Sequence, residues 1–87
     1  MLTTWKRILT HAMAANKETM ADIVDSTLTE KQLDEQFDSG YGCAEGCEFT
    51  VWTMDYVYFP ACYDGAEWVA SVARNPNGEP TEHIGGG

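Results

Sequence analysis

Three cysteines and two histidines are the residues of this chain that are best suited to metal binding. Cys43 and Cys47 are separated by three residues, and Cys62 follows fifteen positions after Cys47. With His11 or His83 they would supply the ligands of a tetrahedral zinc site. The alternative is that Cys62 is a small buried apolar residue and that the other two are free thiols or a disulfide. Because no second pair of cysteines has matching spacing, we expect no cofactor, and a zinc site is kept only as the alternative hypothesis.

The same types of residue do not define a catalytic group. A thiol nucleophile needs a base within hydrogen-bond range, and the sequence places no histidine beside a cysteine. Carboxylates are abundant, but abundance without a pocket does not single out an acid and a base. The Asp-x-Asp-x-Asp-Gly spacing of a calcium loop is absent, and the glycine-rich residues 40–46 lack the Gly-Lys-Ser/Thr of a phosphate-binding loop. We therefore expect no enzymatic activity.

The acidic residues are the strongest functional signal. The net charge of −9 lies entirely after Thr29. Such a surface repels nucleic acid and anionic membranes and attracts basic proteins. The alternative is that the acidic residues form an ordinary solvated surface without a binding role. We expect Glu30, Asp34 and Asp38 to share one face of a helix. The predicted partner-binding set adds further carboxylates and aromatic anchors, and comprises Glu30, Asp34, Glu35, Asp38, Glu45, Glu48, Asp55, Asp64, Glu67, Trp52, Tyr56 and Tyr58.

The first part of the chain has helical periodicity. A first helix, capped by one of the two threonines at positions 3 and 4, carries an apolar face made of Trp5, Ile8, Leu9, Ala12 and Met13. A second helix, or a continuation after a break, is predicted for about residues 17–25. A capping box of Thr29 and Gln32 begins a third helix. In that helix Leu33 and Phe37 form a buried pair, and residues 38–40 end it.

The second part of the chain changes to a period of two. Strands are predicted at residues 49–53, at residues 56–59, where Pro60 ends the strand, and at residues 67–72, after a turn at residues 63–65. Three short strands with short connections indicate an antiparallel meander.

The sequence therefore predicts an α+β fold in which two or three N-terminal helices pack on a three-stranded antiparallel β-meander. Residues 1–76 form a single domain, and residues 77–87 form an irregular, partly mobile C-terminal tail. The glycine-rich residues 40–46 connect the helical and sheet layers. No apolar run is long enough to span a membrane, and the odd number of cysteines favours a reducing compartment, the cytoplasm.

Five segments resemble small acidic proteins that phages and prophages carry. They are residues 27–34, 37–42, 49–53, 57–60 and 63–69, and the resemblance covers about residues 27–76. It implies a setting in the cytoplasm of an infected bacterial host, where such proteins include anti-CRISPR proteins and DNA-mimic inhibitors of nucleic-acid enzymes. The partner would then be a basic, nucleic-acid-binding host protein, with no direct binding of nucleic acid. The alternatives are a small zinc-binding module and a phage structural or assembly protein.

Overall fold

The computed structural model of the chain describes residues 2–38, 46–63 and 66–83. In chain order the elements are β1 (Leu2–Thr4), α1 (Trp5–Ala15), a 3-10 helix (Met20–Asp22), β2 (Asp25–Ser26), α2 (Glu30–Asp34), β3 (Gln36–Asp38), β4 (Val51–Trp52), β5 (Tyr56–Tyr63) and β6 (Ala66–Ala73). They form two antiparallel sheets. One pairs β1 with β3, and the other has the strand order β2-β4-β5-β6.

The predicted α+β class is found, but the predicted arrangement of two or three helices on a three-stranded meander is wrong. Among the described residues there is one main helix, α1, and there are two sheets. The chain leaves α1 through Lys17, whose φ of 60° is left-handed and cannot continue a helix. Instead of a second helix, a single 3-10 turn leads into β2, which pairs with β4.

The third predicted helix is also shorter than expected. Its capping box is confirmed: the Thr29 side chain accepts from the Gln32 N–H at 3.1 Å, and the Gln32 side chain accepts from the Thr29 N–H at 2.9 Å. The helix nevertheless ends at Asp34, because Glu35 is extended and β3 then pairs with β1. Phe37 therefore does not form a helical pair with Leu33.

The apolar face of α1 is confirmed. Thr4 caps the helix by accepting from the Arg7 N–H at 3.2 Å. The core lies between α1 and one face of the four-stranded sheet, and its buried cluster comprises Trp5, Leu9, Met13, Leu28, Phe49, Val51, Tyr58 and Val69. We call the sheet face that α1 covers the inner face, and the opposite one the outer face.

The predicted order of the last three strands is confirmed as β4-β5-β6, but their lengths differ. β5 does not stop at Pro60, which pairs with Val69 in β6. In the described residues β4 pairs with β5 at Val57 and Tyr58. Pro60 therefore lies where β5 is an edge on the β4 side, and its missing N–H costs no ladder bond there.

The predicted turn at residues 63–65 and nearly all of the glycine-rich connection at residues 40–46 lie outside the described residues. The described residues 77–83 are exposed and contain no helix or strand. In the part of the chain that the structure describes, no helix is long and apolar enough to cross a lipid bilayer.

Candidate docking surface

Two of the predicted carboxylates lie on α2, and a third follows directly after it. Glu30, Asp34 and Glu35 are exposed at this helix and at its end. Lys6 Nζ on α1 lies 4.0 Å from Asp34 Oδ1, and the two side chains are 59% and 67% exposed. An ion pair in water is only weakly attractive, so it leaves the acidic character of α2 in place. Asp38 lies half-buried in β3, opposite Leu2 of β1, so the expected single helical face of Glu30, Asp34 and Asp38 is wrong.

A short segment at Gly46 and Cys47 joins α2 to the edge of the sheet. The Trp5 indole N–H donates to the Cys47 carbonyl oxygen at 3.0 Å, and the Gly46 N–H donates to Glu67 Oε1 at 2.9 Å. These two bonds fix the segment between the core and β6. Neither is visible as a local pattern, because the partners lie 42 and 21 residues apart.

Two grooves flank this segment and bring further carboxylates to it. One groove is lined by Glu35 together with Gly46 and Cys47, and the other by Glu48 and Glu67 together with the same two residues. Glu35 thus lies on one side of the segment and Glu48 and Glu67 lie on the other, while Glu30 and Asp34 line a third groove together with Lys6. We call this set of carboxylates the acidic arc, and it comprises Glu30, Asp34, Glu35, Glu48 and Glu67.

The acidic arc does not include every predicted carboxylate. Asp55 lies in the turn between β4 and β5, where its carbonyl oxygen accepts from the Arg74 N–H at 2.8 Å. Glu48 and Glu67 adjoin Cys62, near the other end of β5, and a strand of this length separates the two ends by roughly 20 Å. Glu45 and Asp64 lie outside the described residues.

The three predicted aromatic anchors lie in different environments. Tyr58 is fully buried on the inner face, so it is unavailable to a partner, and its place in the predicted set is wrong. Tyr56 is half-buried and packs against the core. Trp52 is half-buried and lies on the outer face, because it pairs with Val57 rather than with the inner-face residues. None of the three belongs to the acidic arc.

Sequence reasoning missed a polar cluster around Tyr58. Its hydroxyl donates to Glu18 Oε1 at 2.6 Å, and Asn16 Nδ2 donates to the Tyr58 hydroxyl and to Ser71 Oγ, each at 3.1 Å. The Thr53 hydroxyl also donates to Glu18 Oε1, at 3.1 Å. Burial, reinforced by the bond to Glu18, raises the pKa of Tyr58 above its usual range. The cluster fastens the end of α1 to the sheet, which is a structural role.

The cysteines also differ from expectation. Cys62 is exposed, so the interpretation that it is a buried apolar residue is wrong, and Cys47 is exposed as well. Both border the groove that holds Glu48 and Glu67. Among residues 2–38, 46–63 and 66–83, no three Cys, His, Asp or Glu side chains are grouped to hold a metal ion. Cys43 is not among these residues, and His11 and His83 are exposed.

The chain matches no family model, no curated protein and no solved structure. What the protein binds is therefore inferred from the charge, the exposure and the packing of the residues described above.

Proposed function

We propose that this protein is a non-enzymatic inhibitor that binds a basic, nucleic-acid-binding protein through its acidic arc. The observation that carries the proposal is that Glu35 and Glu48 are exposed on the two sides of the segment that Trp5 and Glu67 fix, with the exposed Glu30 and Asp34 on the adjoining helix α2. Carboxylates held in this way can occupy a groove that otherwise binds phosphates. The protein would thus compete with nucleic acid as a DNA mimic.

The electrostatics support a partner of opposite charge. With a net charge of −9, long-range attraction speeds the encounter with a basic protein and discourages direct contact with nucleic acid. Attraction between exposed charges is screened over about 8 Å at physiological salt. Binding should therefore weaken steeply as salt is added. The resemblance to small acidic phage proteins, including anti-CRISPR proteins, implies an infected bacterial cell as the setting of this activity.

A pull-down from bacterial lysate tests the proposal. The tagged protein is incubated at low and at moderate salt, with and without competing double-stranded DNA. We expect capture of a nucleic-acid-binding protein that DNA displaces and that salt weakens. Capture that DNA leaves unchanged would contradict the mimicry, and failure to capture any nucleic-acid-binding protein would contradict the proposal itself.

Matched charge variants separate the acidic arc from overall acidity. Glu35→Gln with Glu48→Gln removes two exposed carboxylates of the arc, whereas Glu79→Gln with Glu82→Gln removes two exposed carboxylates after β6. Both variants lower the negative charge equally. We expect the arc variant to lose most of the capture and the control to retain most of it. Equal losses would mean that net charge, and not the arc, determines binding.

A further inference from the structure

The outer face of the four-stranded sheet is apolar. Cross-strand partners lie on the same face of a sheet, and the row Val51, Tyr58 and Ser71 belongs to the inner face because Asn16 at the end of α1 contacts Tyr58 and Ser71. Since side chains alternate along each strand, the outer face carries Trp52, Val57, Phe59, Ala61, Trp68, Ala70 and Val72. None of these seven side chains is charged or polar, apart from the two indole N–H groups.

This face does not belong to the core. Ala70 is buried between its neighbours, and the other six side chains are half-buried. Among the described residues, the buried core and the side chains packed against it come from α1, α2, β3, the inner face and the connecting segments. β5 and β6 also read as nearly continuous apolar runs, a pattern typical of strands that are covered on both faces. The sequence of these strands therefore matches a sheet that has a second covering layer.

We propose that the outer face is covered by the outer face of a second copy of this chain, in a two-fold symmetric dimer. Sheets stacked in this way pack about 10 Å apart with interdigitating side chains. Two-fold dimers, in which the same surface is used twice, are the commonest oligomers. The inference is independent of the function proposed for the acidic arc.

The surface area of the chain fits this interface. The chain exposes 5993 Å², whereas a monomer of its mass, 9.6 kDa, is expected to expose about 5,100 Å². The excess is comparable to the roughly 800 Å² that each partner loses in a standard interface. Exposed residues 75–83 contribute part of this excess.

The relief of the outer face is self-complementary. Trp68 lies beside Ala61, which is half-buried, so this large ring adjoins a hollow left by a methyl group. In a two-fold stack, the Trp68 ring of one copy can enter the hollow at Ala61 of the other. Interdigitation of large and small side chains is the usual way in which sheet faces pack.

The charges favour a second copy over a basic partner at this face. In the described strands, the register places one charged residue on the outer face. This residue is Asp25, which pairs with Trp52 at the β2 edge. A basic surface would therefore find few carboxylates to contact there. The carboxylates of α2 lie on the α1 side of the sheet, because α2 packs against α1. Two copies can thus meet without opposing those carboxylates.

Sedimentation velocity tests the dimer directly. The full chain is studied from low to high micromolar concentration in reducing buffer, so that its cysteines cannot cross-link two copies. We expect the mass to rise from that of one chain to that of two, and the dimer to strengthen with salt, because salt screens the mutual repulsion of the acidic chains. A monomer at every concentration and salt, or an assembly larger than two, would overturn the proposal.

Matched variants locate the interface. Phe59→Thr and Trp68→Thr, made separately, retain residues suited to strands and should each shift association to at least tenfold higher concentration. Leu2→Thr changes a side chain that is 63% exposed in the other sheet and should leave association unchanged. Circular dichroism identifies any variant that is unfolded. A folded Trp68→Thr protein that associates like the wild type would refute the assignment of the interface.

Tryptophan emission gives a second readout on the unaltered chain. Trp52 and Trp68 lie on the outer face, whereas Trp5 is 1% exposed. Emission should move to shorter wavelength over the same concentration range in which the mass doubles. Association without this shift would mean that a different surface is used.

Discussion

Gly46 is the position where a single methyl group should do the most damage. A Cβ at this residue would lie 2.5 Å from Cζ2, 2.7 Å from Cε2 and 2.9 Å from Nε1 of Trp5. Carbon atoms pack at about 3.5–4.0 Å, so Gly46→Ala requires a displacement. The indole cannot retreat, because Trp5 is 1% exposed and its ring lies 4.7 Å from that of Phe37 and 4.8 Å from that of Phe49.

The segment at Gly46 must therefore move outward. That movement weakens two hydrogen bonds, from the Trp5 indole to the Cys47 carbonyl and from the Gly46 N–H to Glu67. Overpacking costs about 1–3 kcal/mol, and each hydrogen bond contributes about 1 kcal/mol. We expect Gly46→Ala to lower the free energy of unfolding by about 2–4 kcal/mol. For a domain of this size that lowers the Tm by roughly 10–25 °C.

Thermal unfolding and urea titration, both followed by circular dichroism, measure the loss. Gly78→Ala is the control, since Gly78 has a φ of +79° but no atom within 4 Å of an added Cβ. It carries the backbone cost of a left-handed residue, about 1–2 kcal/mol, without any steric overlap. If Gly46→Ala were no less stable than Gly78→Ala, the tight contact between Gly46 and Trp5 would be refuted.

Three further predictions concern polar groups. Tyr58→Phe removes the hydrogen bond to Glu18 and should lower the free energy of unfolding, measured by urea titration, by about 1.5–3 kcal/mol. Tyr56→Phe leaves that bond in place and should lower it by less. Equal losses would contradict the polar cluster around Tyr58. Because burial raises the pKa of Tyr58 in the folded state, the stability contributed by the protonated Tyr58 hydroxyl is fully present below the unfolded-state pKa of about 10. This contribution is lost as the pH rises further. The free energy of unfolding of the wild type should therefore fall more steeply above about pH 10 than that of Tyr58→Phe. Thr29→Ala removes the α2 cap and should cost about 1 kcal/mol, while Thr10→Ala, on the exposed surface of α1, should change stability by less than about 0.5 kcal/mol.

The parts of the fold that the sequence predicts correctly depend on neighbouring residues. The apolar face of α1 and the caps at Thr4 and Thr29 are patterns in which successive residues are no more than four positions apart. They can therefore be recognised without knowing what the segment packs against. The meander of β4, β5 and β6 is similarly recognisable, because its strands follow one another along the chain.

The parts that the sequence predicts wrongly depend on distant partners. β1 is only three residues long, and β3, with which it pairs, follows more than thirty residues later. That pairing overrides the helical spacing of Leu33 and Phe37 and ends α2 early. Similarly, β2 is extended because β4 supplies its partner. No local pattern in the sequence contains these pairings.

In the candidate site, too, the sequence predicts what depends on composition and misses what depends on distant partners. Acidic character is a property of composition, and the sequence therefore predicted it. The acidic arc depends on the bonds that hold the segment before Glu48 between Trp5 of α1 and Glu67 of β6. The aromatic type of Tyr58 makes it a candidate anchor, but its exposure depends on which side of the sheet α1 covers. The alternation of side chains along a strand shows which residues share a face, but not which face the helix covers.

The two proposed surfaces respond to salt in opposite directions, which makes them separable in one protein. Capture through the acidic arc depends on attraction between unlike charges and weakens as salt is added. Association through the outer face depends on apolar burial against repulsion between like-charged chains, and it strengthens under the same change. Because α2 lies on the α1 side of the sheet, a dimer would leave both copies of its carboxylates accessible. A dimeric protein would then present two acidic arcs to one elongated basic groove, or to two copies of its partner.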